Sequence, residues 1–254
     1  MTMPPCTSRC GSKGTTSTRC LTWCVQPATR AACISSLLPD RDRIAPGGCP
    51  AASSLIPILV PVRSGLLGGT FDPPHIAHLL AGEVAYRQLG LDQIIYLPAG
   101  SPWQKADRKV SAAHHRWNMT EIAAASVPYF VPDDQEVHRD GWTYTVDTLA
   151  TFDSSEEIVL ILGADAARGV PTWERADEVL KRVRVAVLPR PGTERSEVEA
   201  SIGDPIWLDM PALPVSGTLI RQRFAAGTGV RFLVTDGVYE YMVENRLYEG
   251  NTPD

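Results

Sequence analysis

From about residue 64 onward, apolar positions fall in short blocks that switch between two spacings. Gly65-Leu66-Leu67-Gly68 closes a brief apolar run and predicts a first strand. From Ile76 to Leu89, Leu79, Leu80, Val84 and Leu89 recur at helical intervals, and Gly90 supplies a stop. Gln93 to Leu97 is rich in β-branched residues and ends at Pro98, a second strand. A helix is expected over Ala112 to Ser126, and a third strand at Tyr129-Phe130-Val131. Thr145 to Phe152 looks helical. Ile158 to Leu162 is uninterrupted and apolar, as a central parallel strand is, and it ends in Gly163. Trp173 to Leu180 reads as a helix, Val183 to Leu188 as the last buried strand, and Ser216 to Ala226 and Val238 to Asn245 as late helices.

Strands alternating with helices predict an α/β fold: a Rossmann-like, doubly wound, mostly parallel sheet with helices on both faces. Ligands of such sheets bind outside the carboxyl ends of the strands. The chemistry is therefore expected just after Leu67, Leu97, Leu162 and Leu188, and each of those places carries a polar motif.

Before residue 63 this rhythm is absent. Residues 1–64 carry seven Lys/Arg against two Asp/Glu, and all six cysteines lie within the first 49 residues. Residues 65–254 carry 17 Lys/Arg against 27 Asp/Glu. The chain is thus expected to divide into an extension, 1–62, and a catalytic domain, 63–254. Two CxxxC pairs, Cys6/Cys10 and Cys20/Cys24, raise zinc, but no tight knuckle in a folded ribbon surrounds them. The Arg- and Ser-rich, acid-poor composition raises a transit peptide, but amphipathic periodicity is lacking. The favoured expectation is a disordered extension, or upstream sequence from a misassigned start.

The overall charge of −5 argues against a generally basic nucleic-acid binder. No run nears the ~20 apolar residues that span a bilayer. A cytoplasmic protein with neither nucleic-acid nor membrane partners is expected, and homo-oligomerisation is left open.

The string GGTFDPPHIAH, Gly68 to His78, follows the first strand. Gly68 and Gly69 let backbone approach a phosphate, with Thr70 and Phe71 next in the turn. Asp72-Pro73-Pro74 ends the strand. His75 and His78, three apart at a helix start, share a face where the helix terminus already favours anions. Late in the chain, Ser216-Gly217-Thr218-Leu219-Ile220-Arg221 places two hydroxyls at a helix start and an arginine fork one turn on. Read alone, this second segment is more simply an ordinary cap with a solvated arginine; beside the first motif, the anion site is the better reading.

These two segments resemble the phosphate motifs of the nucleotidyltransferases with an HxGH signature. Ala77 stands where that superfamily has glycine, and SGTLIR is similar to its ISSTxxR-like segment, with Val215 and Gly217 in place of more usual residues. The resemblance implies that His75, His78 and Arg221 act on the ATP phosphates. Gly68, Gly69, Thr70, Phe71, Ser216 and Thr218 would line the same site.

Four further features concern the acceptor. Lys105 ends a loop, Pro98 to Lys105, after the second strand and can reach phosphates or remain a surface lysine. Trp142-Thr143-Tyr144-Thr145 opens a helix. Asp165 follows the central strand in Gly163-Ala164-Asp165 and can bind ribose hydroxyls, and Trp173 can stack on a ring. Together with Asn245-Arg246-Leu247-Tyr248, these resemble the bacterial nicotinate-nucleotide adenylyltransferases, most closely the actinobacterial members, over about Gly65 to Tyr248. The resemblance implies that Tyr144, Thr145 and Trp173 hold the nicotinate moiety and that Gly163 and Asp165 hold the adenosine ribose. Arg190, in a PRPG turn, would lie near the adenine, or be a plain turn residue.

The implied reaction is adenylyl transfer from ATP to nicotinate mononucleotide, with Mg²⁺ accompanying the ATP and no dedicated metal cage. Pantetheine-phosphate and nicotinamide-mononucleotide adenylyltransferases are the alternatives. The neighbouring His114 and His115 are expected to diverge on a helix and not to share a metal.

Overall fold

A computed structural model describes residues 62–101 and 110–249. The extension at 1–61 and the Lys105 loop lie outside the described residues.

Six strands form one sheet: β1 (Arg63–Gly69), β2 (Gln93–Pro98), β3 (Phe130–Pro132), β4 (Glu157–Gly163), β5 (Arg184–Leu188) and β6 (Ile206–Trp207). Their order is β3-β2-β1-β4-β5-β6 and every pairing is parallel. This is the doubly wound Rossmann order, whose direction reverses between β1 and β4.

Alternation along each strand sorts side chains to two faces. Leu66, Ile95, Leu160 and Val187 enter one core cluster. Leu67, Ile94, Ile161 and Ala186 enter the other. On the first face lie α3 (Thr145–Leu149), α4 (Ala164–Arg168), α5 (Ala176–Arg182) and α6 (Arg195–Ile202), through Val146, Ala167, Val179 and Val198. On the second lie α1 (Ile76–Leu89) and α2 (Ala113–Ala124), through Ala81, Ala85 and Ala124. Each fully buried aliphatic side chain stabilises the fold by roughly 1.5–3 kcal/mol. Both faces being covered explains why the central strands read as unbroken apolar runs.

A third cluster joins α2 to α7 (Gly217–Ala225) and α8 (Asp236–Glu244), with Met119, Ile220, Val238 and Met242 at its centre. The segment Ser216 to Arg221 is thereby held against α2, which covers β2 and β3.

The expected elements match closely, and α1 ends at Gly90 in the left-handed conformation (φ 61°). α4 and α6 were not expected from the sequence, and two further differences stand out. Trp173 is not in a helix. It follows a 3₁₀ turn (Val170–Thr172) with extended backbone, and α5 begins only at Ala176. β5 is not the last strand, because Ile206–Trp207 adds a short sixth one at the edge. A two-residue strand is too short to show a period of its own.

Candidate active site

At the reversal point, the carboxyl ends of β1 and β4 splay apart and leave a crevice. Two adjoining hollows line it, of about 360 and 170 Å³, and they share Thr70. The larger collects Phe71, Asp72, His75, His78, Asp165, Arg190, Ser216, Gly217, Thr218 and Arg221. Residues more than 140 positions apart in sequence thus meet at one point. The smaller is lined by Gly68, Gly69, Thr70, Glu136, Thr143, Tyr144, Thr145, Trp173 and Glu174.

His75 caps α1 and is 5% exposed. Its ring stacks on that of His78, with centroids 3.7 Å apart. His78 Nδ1 accepts the backbone amide of His75 at 3.2 Å, so the neutral ring carries its proton on Nε2. Phe71 meets His78 edge-on at 4.9 Å, and the Tyr96 hydroxyl donates to the His78 carbonyl at 3.1 Å. His75 Nδ1 is buried and has no hydrogen-bond partner among the described residues.

Burial, and then the charge of Arg190, push the His75 pKa down to about 4. At neutral pH the ring is therefore uncharged. Between about pH 6.5 and 4 the unfolded chain binds a proton at this position that the folded chain does not. Stability therefore falls as pH drops through that window. At pH 5 the loss relative to pH 7 is about 2 kcal/mol from this group. Urea unfolding of wild type and His75→Gln at both pH values checks it: the wild type should lose more stability than the variant.

On the opposite wall, Ser216 caps α7 by accepting the Leu219 amide at 3.2 Å, leaving its hydroxyl proton to donate outward. Arg221 donates to the Asp72 carbonyl at 2.6 Å and to Thr218 Oγ1 at 3.2 Å. A methyl group on Gly217 would sit 2.6 Å from that same carbonyl. Only glycine lets the α7 terminus come this close. This accounts for a residue that the sequence showed only as a departure from the usual motif. Asp165 and Arg190 form an ion pair at 3.0 Å across the mouth of the hollow, both half-exposed.

In the smaller hollow, Trp173 packs against the first core cluster. Its Nε1 is buried without a partner among the described residues. Glu136 accepts the Thr148 hydroxyl at 2.6 Å, and burial raises its pKa. That bond ties α3, and so Tyr144 and Thr145 at its start, to the preceding loop.

The two hollows bring together every proposed site residue except Gly163 and Lys105, the latter outside the described residues. Gly163 lies at their edge, beneath the Arg190–Asp165 pair. The sequence reading missed Arg116. This side chain, 1% exposed, donates to the carbonyls of Thr70 at 3.0 Å, Gly100 at 2.6 Å and Ser111 at 2.9 Å, and also to Ala99. It fastens the loops after β1 and β2 to each other and to the start of α2. The available signal was its spacing: Arg116 stands three and seven residues before Met119 and Ala123, on the same buried face of α2. His114 and His115 do not diverge: their ring centroids are 4.0 Å apart. His115 is taken up by the Tyr241 hydroxyl at 2.9 Å.

A glycine-lined crevice at the β1/β4 switch, with two histidines and an arginine on facing helix termini, defines a nucleotidyltransferase. Residues 66–223 match the cytidylyltransferase-like family. A protein of Dehalococcoides mccartyi named "Probable nicotinate-nucleotide adenylyltransferase" is 38% identical over 202 residues, 75% of this chain and 98% of that protein. Proteins of the same name from Saccharopolyspora erythraea and Arthrobacter sp. are 39% and 40% identical, over 74% and 73% of this chain and 90% and 91% of theirs. The chain belongs to the nicotinate-nucleotide adenylyltransferase family. In structure it is similar to the Plasmodium falciparum nicotinic acid mononucleotide adenylyltransferase solved with NaAD. That likeness has a TM-score of 0.64 at 17% identity, covers 74% of this chain and 97% of that one, and concerns the fold.

Proposed function

We propose that this enzyme transfers the adenylyl group of ATP to nicotinate mononucleotide, giving nicotinate adenine dinucleotide and pyrophosphate. An oxygen of the mononucleotide phosphate attacks the α-phosphorus of ATP. That P–O bond forms as the bond from the α-phosphorus to the bridging oxygen breaks, and the electron pair leaves with pyrophosphate. The attacking phosphate is already anionic near neutral pH, so no side chain need serve as nucleophile or general base. Positioning and charge stabilisation carry the rate.

The single observation that carries this proposal is the meeting of His75, His78, Ser216, Thr218 and Arg221 around one hollow. In this proposal Gly68, Gly69, Thr70 and Phe71 offer backbone to the phosphates, and the two histidines and Arg221 support the charge that develops on them. Gly163 and Asp165 take the ribose, and Arg190 lies beside the adenine. Tyr144, Thr145, Trp173 and, from its loop, Lys105 take the acceptor. ATP enters as its Mg²⁺ complex, and the ion comes with the substrate. The catalytic domain is residues 63–254, and the compartment is the cytoplasm. Among the described residues no helix is long and apolar enough to cross a membrane.

Pyrophosphate release from ATP, measured with three acceptors in turn, tests the proposal. Nicotinate mononucleotide should be used at least about tenfold faster than its amide, as expected where a site pairs a carboxylate with dedicated donors. The phosphopantetheine acceptor should give no release. Equal rates for acid and amide contradict the acid assignment.

A further inference from the structure

Asp72 is an unexpected occupant of an anion-binding hollow. It is 6% exposed, and no role was given to it beyond ending a strand. Its Oδ1 accepts the Tyr248 hydroxyl at 2.6 Å, and its Oδ2 accepts the Ser111 amide at 3.3 Å. Arg221 Nη1 lies 3.7 Å from Oδ2 while bonding the carbonyl of the same residue. A carboxylate whose charge is committed to such donors is less free to repel a phosphate or to draw a guanidinium onto itself.

The donor Tyr248 comes from beyond α8. The chain reaches it through left-handed backbone at Arg246 (φ 51°) and at Tyr248 itself (φ 64°). Non-glycine residues hold that conformation at a cost, and only when the surroundings enforce it. The Tyr248 ring is 7% exposed within the cluster that joins α2, α7 and α8, and meets Phe224 of α7 edge-on at 6.3 Å. One side chain thus touches both walls of the phosphate hollow: the loop after β1 through its hydroxyl, and α7 through its ring.

We infer that Tyr248 is a positioning residue of the phosphate site, fixing the stance of Arg221 through Asp72. This rests on the reading of Arg221 as a phosphate ligand. Removing the hydroxyl leaves a buried carboxylate oxygen without its donor. The carboxylate then satisfies itself on Arg221 and pulls the guanidinium off the phosphates.

The test is a double-mutant cycle in the full chain. Tyr248→Phe keeps the ring and removes only the hydroxyl. In the Arg221 background it should lower kcat/KM for ATP about tenfold, with KM for the mononucleotide unchanged. In an Arg221→Ala background the same change should cost about twofold or less, because the group it acts through is gone. Asp72→Asn removes the carboxylate that would capture Arg221, so Tyr248→Phe added to it should cost about twofold or less, and this pair keeps the test open where Tyr248→Phe alone folds poorly by thermal melting. Equal losses in both backgrounds, or no loss in the first, overturn the inference. Binding of inorganic tripolyphosphate by calorimetry reads the same cycle without catalysis. Wild type that binds tripolyphosphate yet transfers no adenylyl group would sink the proposed reaction, while the cycle would still judge Tyr248.

Discussion

Replacing His78 by alanine is expected to lower kcat by roughly 10²-fold or more, with far smaller changes in KM for either substrate. The surroundings of His78 explain the size. Its Nδ1 is occupied by the His75 amide, which fixes the tautomer, and its carbonyl is held by Tyr96. Its ring is clamped between Phe71 and His75. A donor held this firmly costs no reorganisation when charge builds on the phosphates, so its help is concentrated in the transition state. Alanine removes that donor and, with it, the acceptor of the His75 amide at the start of α1, so folding is checked beside the kinetics. Steady-state kinetics, with a thermal melt to confirm folding, checks the result. A variant with wild-type kcat removes His78 from the mechanism.

Replacing Trp173 by alanine should act on the other substrate. Stacking of an aromatic side chain on a base is worth about 1–3 kcal/mol, so KM for nicotinate mononucleotide should rise roughly 5- to 150-fold while KM for ATP changes little. The geometry supports that separation. Trp173 lines the smaller hollow with Tyr144 and Thr145, away from the two histidines. It sits on a stretch of extended chain between a 3₁₀ turn and α5, so truncation need not unwind a helix. Trp173→Phe, which retains a stacking face, should recover most of the loss. An unchanged acceptor KM in the alanine variant contradicts the assignment.

The parts of this enzyme that were legible in its sequence are those in which neighbouring residues carry the signal. The coverage of the sheet on both faces was written in the unbroken apolar runs of the central strands, such as Ile158 to Leu162. The phosphate crevice was written in Gly68 to His78 and Ser216 to Arg221. What could not be read depends on residues far apart in the chain. The contact of Asp72 with Tyr248 spans 176 positions, and neither residue is unusual in its local context. Arg116 looked like one polar residue on a helix, yet its carbonyl partners lie as far away as Thr70. Gly217 looked like a departure from a motif until the Asp72 carbonyl was found against it. Trp173 was read as the start of a helix running to Leu180, but α5 begins only at Ala176. Arg175, in left-handed backbone at φ 49°, instead marks where the irregular segment ends.

The position of bond cleavage in ATP tests the central proposal most directly. With ATP labelled at the α-phosphorus and nicotinate mononucleotide as acceptor, the label should pass into the dinucleotide in equal amount to the pyrophosphate released. Label left on ADP, with inorganic phosphate as the other product, would mean cleavage between the β- and γ-phosphates, and label in free AMP would mean transfer to water; either result would contradict adenylyl transfer to the mononucleotide.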